Sequence, residues 1–205
     1  MEPSIRQRFE TIYATDEWGQ GSGEGSYPVH TRGYIRFLQR FIKQHNIKSV
    51  VDLGCGDWQF SRFIDWSGVD YHGFDLVASV IDNNRERYGA PGIRFLRYDG
   101  DFSELPKADL LIAKDVLQHW SNDSVINFLP HLPRYPKALL TNCINPLGPT
   151  TNQDIPDGGF RYLDLRLAPF NIKAKVAFSF TNHRSLKDKL FGKPRWRKNV
   201  LLFRH

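Results

Sequence analysis

Short apolar runs alternate with amphipathic segments along most of the chain. Strands are predicted at 49–53, 69–76, 92–98, 108–113 and 137–142, where the runs have strand length. Helices are predicted at 3–13, 31–45, 59–64, 77–88 and 121–129, and Ser121 is expected to be an N-cap. Strands that alternate with helices indicate right-handed βαβ units and a parallel sheet covered on both faces.

The C-terminal part of the pattern is different. Two strand-like runs, 173–181 and 198–203, have no convincing helix between them, and the polar link Asn182–Arg197 contains Gly192-Lys193-Pro194. This pattern predicts an antiparallel hairpin. The expected fold is therefore α/β, with a doubly wound, seven-stranded, mostly parallel sheet, an antiparallel C-terminal hairpin and N-terminal helices.

A glycine turn directly follows the first strand. Residues 49–58 read Ser-Val-Val-Asp-Leu-Gly-Cys-Gly-Asp-Trp, so Gly54 and Gly56 allow a tight turn and a close approach of the backbone to a ligand. Asp57 suits the N-cap of a helix over 59–64. A strand, a glycine turn and a helix N-terminus would present free backbone N–H groups at the carboxyl edge of the sheet.

A second glycine-rich segment lies at 17–28, where four glycines accompany Trp18 and Tyr27. Because no strand precedes it, it is not a dinucleotide fingerprint. It is interpreted as a loop that closes over the site and brings Trp18 to the substrate, or alternatively as a flexible linker. Residues 1–30 are thus predicted to form a helix and a glycine-rich lid, and residues 31–205 a single domain.

Composition describes an ordinary globular protein, with 40% hydrophobic and 24% charged residues and a net charge of +6. Residues 184–205 contain eight lysines and arginines and one acid, Asp188, which favours either a solvated hairpin or a phosphate-binding surface.

No apolar run is long enough to span a membrane, and no signal peptide is recognised. Two cysteines without metal-ligand spacing favour a cytoplasmic, reducing location, and no metal site is predicted.

Acidic residues recur at the ends of the predicted strands. Asp52 precedes the glycines, and Asp75 follows Gly56 by 19 positions, the spacing at which a carboxylate can bind both hydroxyls of a ribose. Asp99 ends the third strand close to Phe102, and this pair could hold an adenine ring and its amino group. Asp115 follows the fourth strand.

With these features the sequence resembles the class I S-adenosylmethionine-dependent methyltransferases, which have a Rossmann-like fold. Residues 50–56 resemble the family's first motif, Asp75 its ribose-binding acid, Asp99 its adenine-edge acid, and 109–120 its fourth motif. The resemblance covers roughly residues 31–205. Asp57-Trp58 stands where many members have a third glycine. Residues 18–26 also resemble small bacterial methyltransferases of glycan and natural-product pathways.

The resemblance implies S-adenosyl-L-methionine as cofactor, with Gly54 and Gly56 at its methionine part and the backbone near Phe102 at its adenine. The full set of cofactor-binding residues it implies is Asp52, Gly54, Cys55, Gly56, Asp75, Leu76, Asp99, Gly100, Phe102 and Lys114.

Methyl transfer to a hydroxyl is helped by a base, and His119 follows the fourth strand, where the acceptor is expected. His119 is predicted to be that base, with Asp115 orienting substrate or holding the cofactor's amino group; a packed helix residue is the alternative for His119. Residues after the fifth strand are predicted to select the acceptor, chiefly Asn145 and Arg161, together with Trp18.

The leading interpretation is methyl transfer to an oxygen or nitrogen of a small molecule such as a sugar, glycan or natural-product intermediate. An RNA methyltransferase is an alternative suggested by the basic C-terminal part, although no RNA-binding module is evident. A non-catalytic nucleotide-binding module on the same fold is a third interpretation. A nicotinamide-dependent dehydrogenase is disfavoured, because Gln59 stands where its fingerprint needs glycine.

Overall fold

The computed structural model describes residues 4–182 and 196–205, which form one seven-stranded sheet. The strands lie in the order β3-β2-β1-β4-β5-β7-β6, and the first five are parallel. Their bounds are β1 Ser49–Leu53, β2 Asp70–Asp75, β3 Ile93–Arg97, β4 Leu110–Lys114, β5 Lys137–Ile144, β6 Lys175–Thr181 and β7 Arg197–Arg204. The doubly wound, mostly parallel sheet with an antiparallel C-terminal hairpin is confirmed.

Four α-helices flank this sheet in the described part of the chain. They are α1 Ile5–Ala14, α2 Pro28–Gln44, α3 Ala78–Tyr88 and α4 Asn122–Phe128. Helix α2 begins three residues earlier than the pattern predicts, because Pro28 occupies its first turn, where a missing N–H does no harm. Ser121 is the N-cap of α4, as predicted: its hydroxyl accepts the N–H of Ser124.

The sheet separates two apolar cores. On one face, Tyr34 and Leu38 of α2 and Ile81 of α3 pack against Val50 and Leu110. On the other face, the side chains of α4 and of the turns that follow β3 and β4 pack against the alternate residues of the same strands. Because both faces are covered, β4 is buried along its whole length, which explains its nearly unbroken apolar sequence.

The helix predicted at 59–64 is wrong. The structure has only a 3₁₀ turn, Ser61–Phe63, and Trp58 lies in the left-handed region with φ +58°. The carboxylate of Asp57 caps no helix, because it accepts hydrogen bonds from Ser22 and Gln59 instead. Trp58, Phe60 and Ile64 are all buried in the core beside α2. An irregular backbone brings these side chains inward, so no amphipathic helix is needed to bury them. The connection between β1 and β2 is therefore irregular.

The C-terminal hairpin inserts β7 between β5 and the edge strand β6, and both of its pairings are antiparallel. Most of the predicted link between the two strands, including Arg184, Lys187, Lys189, Lys193 and Arg195, lies outside the described residues. Among the described helices, none has the length and apolar character needed to cross a membrane.

Replacing Ser121 with Ala should lower the free energy of unfolding by about 1 kcal/mol, because the first turn of α4 loses its cap. Urea unfolding followed by circular dichroism measures this change. Ser79→Ala, at an exposed position of α3, is the matched control and should change stability by less than about 0.5 kcal/mol. Equal effects at both positions would show that the cap is not used.

Candidate active site

A cavity of about 380 Å³ opens at the carboxyl ends of β1, β2 and β4, where strands of a parallel sheet commonly bind ligands. Its walls come from the strand ends, the N-terminal segment and the C-terminal hairpin. The lining residues used below are Phe9, Tyr13, Trp18, Ser22, Gly25, Asp52, Gly54, Cys55, Gly56, Asp75, Leu76, Tyr98, Lys114, Asp115, Gln118, His119, Cys143, Phe160, Tyr162, Trp196 and Lys198.

The glycine turn lies at the bottom of this cavity. Gly54 has φ +70°, and a Cβ there would collide with the side chain of Val116, so glycine is required on both counts. The expectation of free N–H groups is wrong. The N–H groups of Gly54 and Cys55 donate to the carbonyl of Phe74, and that of Gly56 donates to Asp75. The three N–H groups of the turn are therefore not open donors, and its two glycines make room for Val116 and Ser22.

A buried hydrogen-bond chain supports the turn from beneath. The indole N–H of Trp58 donates to the hydroxyl of Tyr71 at 2.9 Å, and that hydroxyl donates to the carboxylate of Asp52 at 2.6 Å. Burial raises the pKa of Asp52 to about 7, although the Tyr71 hydrogen bond opposes the shift. Trp58 therefore packs under the cavity floor, and Asp52 lines it.

Asp75 ends β2 with its carboxylate facing the cavity. It accepts the N–H groups of Gly56 at 3.0 Å and Val77 at 3.1 Å, which fixes the orientation of the side chain. Burial raises its pKa to about 6, and these backbone hydrogen bonds limit the increase. At neutral pH most Asp75 side chains are ionised and accept hydrogen bonds only.

Three buried charges meet at the end of β4. The ammonium groups of Lys114 and Lys198 both contact Oδ2 of Asp115, and each of these lysine side chains is 2% exposed. Burial lowers the pKa of Lys114 to about 8. Burial alone would raise the pKa of Asp115, but the two lysines outweigh it and hold that pKa below its usual value. Asp115 is therefore a carboxylate at neutral pH.

His119 lies between aromatic rings beside this cluster. Its ring centroid is 4.6 Å from that of Trp18 and 5.8 Å from that of Phe160. Nδ1 is 2.7 Å from the carbonyl oxygen of Gly159, which can only accept, so Nδ1 carries a proton. Burial lowers the pKa of His119, so the imidazole is neutral at pH 7 and Nε2 is its basic nitrogen.

The N-terminal segment covers the cavity. Ser22 exchanges hydrogen bonds with Asp57 and with the hydroxyl of Tyr13. The carbonyl of Gly25 accepts a hydrogen bond from Lys114 at 3.1 Å. These contacts join the segment to the glycine turn at one end and to the charged cluster at the other.

Several residues predicted for the site do not line the cavity. Asp99 is exposed, and its carboxylate accepts the N–H of Asp101. Phe102 packs under the floor against Tyr98 and Trp120, and Gly100 is also outside. Asn145 and Arg161 likewise lie away from the cavity.

Their hydrogen bonds explain the positions of Asn145 and Arg161. Asn145 orders its own loop by accepting the N–H of Leu147. The guanidinium of Arg161 donates to the side chain of Asn122 and to the carbonyl of Trp120, and it thereby ties its loop to α4. The roles assigned to these residues from the sequence stay predictions.

Sequence reasoning missed the residues that the two ends of the chain contribute. Lys198 is one of the C-terminal basic residues predicted to form a solvated hairpin or a phosphate-binding surface, yet it is buried. A signal was present, because positions 198, 200 and 202 share one face of a strand, and Val200 and Leu202 are apolar. In the structure Val200 belongs to the core and Leu202 packs against it. Tyr13 lies within the helix predicted at 3–13 and Trp196 within the predicted link, and the sequence pattern predicts no role in the site for either.

Within residues 4–182 and 196–205, the structure contains no group of three or more His, Cys, Asp or Glu side chains that could hold a metal ion. Both cysteines are buried free thiols.

Fold and site together define an α/β protein with a ligand cavity at the carboxyl edge of its sheet. Residues 34–155 match the model of the O-methyltransferase domain family, and this match covers more than half of the sequence. The chain belongs to the O-methyltransferase family.

Curated relatives are longer proteins. Over 154 residues the chain is 26% identical to caffeic acid 3-O-methyltransferase 2 of Populus tremuloides, which covers 70% of this chain and 39% of that protein. It is 35% identical over 72 residues to malonyl-[acyl-carrier protein] O-methyltransferase of Pectobacterium atrosepticum, covering 35% of this chain and 27% of that one. The chain thus spans about two fifths or less of the length of these relatives.

Solved structures agree with the fold over almost the whole chain. Magnesium protoporphyrin IX methyltransferase from Synechocystis, with bound SAH, has a TM-score of 0.63 and 15% identity, covering 97% of this chain and 98% of that one. Human N-acetylserotonin methyltransferase in complex with SAM has a TM-score of 0.59 and 15% identity, covering 98% of this chain and 56% of that one. At this identity the likeness establishes the shared fold.

Replacing Asp52 with Asn should flatten the fall of stability with pH. A carboxyl whose pKa is raised in the folded state binds more protons there than in the unfolded chain, so stability falls between about pH 4 and pH 7. Asparagine removes this contribution and still accepts the Tyr71 hydrogen bond. Relative to wild type, the free energy of unfolding should rise by a few kcal/mol across that window, at about 1.4 kcal/mol per pKa unit.

Urea unfolding at half-unit pH steps and constant ionic strength measures this difference. Asp123→Asn, an exposed change of the same kind on α4, controls for the loss of one negative charge. Parallel curves for wild type and Asp52→Asn would contradict the raised pKa.

Proposed function

We propose that this protein transfers the methyl group of S-adenosylmethionine to a hydroxyl oxygen of a small molecule. The proposal rests on one observation: a single cavity of a chain in the O-methyltransferase family is lined by both Asp75, suited to a ribose, and His119, a neutral imidazole. The solved methyltransferases with bound SAM or SAH support the choice of cofactor.

The residues of the cavity fit this cofactor. Its volume of about 380 Å³ is within the usual range for small-molecule sites. Asp75 is the acceptor for ribose hydroxyls, and Gly54 lines the cavity where the methionine part would lie. Oδ1 of Asp115 is buried and has no hydrogen-bond partner among the described residues, as expected of an atom that would accept a hydrogen bond from the cofactor's ammonium group.

Asp52, Cys55, Gly56, Leu76 and Lys114 also line the cavity, which supports their assignment to the cofactor. Tyr98 and Leu76 lie at the β2–β3 side and are better placed for the adenine than Asp99, Gly100 or Phe102. We therefore propose that an apolar wall, rather than the Asp99 carboxylate, bounds the adenine.

When bound, S-adenosylmethionine supplies a methyl group that is already electrophilic. The protein must therefore align the acceptor, remove its proton and exclude water. Nε2 of His119 would take the hydroxyl proton during methyl transfer, since the Gly159 carbonyl keeps the proton of the imidazole on Nδ1. Asp115, adjacent in the cavity, orients the ligands.

The N-terminal segment acts as the lid in this proposal. Trp18 lies against His119, and Phe9 and Tyr13 pack at its edges with ring centroids about 6 Å away. This aromatic cover shields the reacting atoms from water. Entry of the cofactor would need the contacts of Ser22 with Asp57 and of Gly25 with Lys114 to open.

The acceptor is proposed to be a flat molecule with an acidic hydroxyl, such as a phenol. Trp18, Phe160, Tyr162 and Trp196 supply aromatic faces, on which a ring can stack. The similarity to caffeic acid O-methyltransferases supports a phenolic acceptor over a sugar.

We also propose that the protein acts in the cytoplasm.

A methyl-transfer assay tests the function. The protein is incubated with radiolabelled S-adenosylmethionine and a panel of hydroxycinnamates, simple phenols and sugars, and label should appear in a phenolic product. His119→Asn should lower kcat by about 10²–10⁴-fold, the usual contribution of a positioned base, and leave cofactor affinity unchanged. His45→Asn, at the end of α2 away from the cavity, should leave both unchanged.

Two results would overturn the assignment. Absence of calorimetric heat with both S-adenosylmethionine and S-adenosylhomocysteine would remove the enzyme proposal, and full turnover by His119→Asn would remove His119 as the base.

Asp75→Ala should weaken the binding of S-adenosylhomocysteine by about 1–3 kcal/mol, because the ribose hydroxyls lose their acceptor. Titration calorimetry measures the affinity. Asp99→Ala is the comparison, and its affinity should match wild type since that carboxylate is exposed outside the cavity. If Asp99→Ala loses as much affinity as Asp75→Ala, the proposed position of the adenine is wrong.

A further inference from the structure

The side chain of Gln118 lies between His119, the proposed base, and strand β5. Its Oε1 accepts the backbone N–H of Cys143 at 2.7 Å, and its Nε2 is 3.2 Å from Nε2 of His119. Gln118 is buried and lines the cavity. It therefore touches the nitrogen that the proposed mechanism uses.

The orientation of this amide is fixed by its partners. If the amide were flipped, its NH₂ group would face the N–H of Cys143, and two donors would oppose each other in a buried place. The NH₂ group must therefore face His119, where it donates to the lone pair of Nε2. A proton on Nε2 would in turn face the NH₂ donor and leave it without an acceptor.

We propose that Gln118 is a positioning residue that keeps Nε2 of His119 unprotonated and aligned until an acceptor hydroxyl replaces the amide N–H. This inference rests on the proposed function, in which Nε2 is the base. The 3.2 Å separation of the two nitrogens is at the upper end of the ordinary hydrogen-bond range. The amide is a neutral donor, so the hydroxyl of an acceptor can take its place at Nε2.

The backbone around the pair is held by the loop 153–163. The N–H of Gly158 donates to the carbonyl of His119 at 2.7 Å, and the N–H of Arg161 donates to the carbonyl of Gln118 at 3.2 Å. The carbonyl of Gly159 accepts from Nδ1. Both ring nitrogens and both backbone carbonyls are thereby fixed, and the imidazole has one orientation.

The other charged groups near His119 have opposite effects on its pKa. Asp115 stabilises a protonated imidazole and Lys198 destabilises it, while the faces of the ring meet Trp18 and Phe160, which carry no charge. The direct donor at Nε2 is Gln118. Changing this donor into an acceptor should therefore change the protonation of His119 more than any distant charge.

The experiment is ¹⁵N-histidine NMR titration of the wild-type protein and of two variants, with the His119 signals assigned by their loss in His119→Asn. Wild-type His119 should be neutral at pH 7 with its proton on Nδ1. Gln118→Glu keeps an acceptor for Cys143 but places a carboxylate at Nε2, so the pKa of His119 should rise by at least about one unit. Gln118→Met, which has no donor, should give a smaller rise.

Gln39→Glu is the matched control, because it adds the same charge on α2 away from His119, and the His119 pKa should stay at its wild-type value. In the transfer assay, the acid limb of the kcat–pH profile should shift upward in Gln118→Glu by the same amount as the NMR pKa, while KM for the cofactor is unchanged. A purely structural role would lower activity without moving this limb.

The proposal is overturned if wild-type His119 carries its proton on Nε2, or if the pKa of His119 is the same in wild type and Gln118→Glu. If Gln118→Glu does not fold, the wild-type tautomer and Gln118→Met decide the question, and an unchanged pKa in the latter overturns it. The NMR measurements need no turnover. A protein that shows the expected titration but no methyl transfer would therefore reject the proposed function and keep the role of Gln118 in disfavouring a proton on Nε2.

Discussion

The ion cluster of Lys114, Asp115 and Lys198 is the interaction on which the cavity depends. It joins the end of β4 to β7, and the Gly25 carbonyl adds the N-terminal cover to the same point. Buried charges are expensive to remove from water, and they are tolerated only when they are paired with good geometry. Here two cations share one carboxylate oxygen, so removing Asp115 would leave two like charges facing each other. The arrangement therefore specifies where the three segments meet, even if its net contribution to stability is small.

The glycine turn is held in place without the helix that the sequence pattern predicts after it. In place of a helix after the turn, Trp58 enters the core and reaches Asp52 through Tyr71, and Asn84 of α3 donates to the carbonyl of Gly56 at 2.7 Å. Neighbouring side chains thus hold the turn that a helix would otherwise hold. The left-handed backbone of Trp58 is the local strain that this solution requires, and the packing of its indole ring in the core compensates for it.

The sheet was predictable because its signals are local. The central strands β1, β4 and β5 are largely apolar runs buried on both faces, and the C-terminal hairpin lacks a helical pattern between its strands. The missing helix after Asp57 was not predictable in this way, because its N-cap residue is taken by Ser22, which is 35 residues distant along the chain. Asp75 and His119, which line the cavity, were predicted as site residues from their positions after strands. Lys198 and Tyr13 were missed because only long-range contacts bring them to the cavity, and the apolar runs around them hide their polar ends.

Gly25 and Lys198 approach each other across 173 positions of sequence. Contacts between residues so far apart in sequence form late in folding. The intervening chain must lose conformational entropy before such contacts can stabilise the folded state. A nascent chain whose β7 is still inside the ribosome could pair its five parallel strands. It could not complete the wall of the cavity, to which β7 contributes Lys198. Ligand binding would then report on completion of the whole sheet, since a partially folded chain would have the glycine turn and no enclosed space beside it.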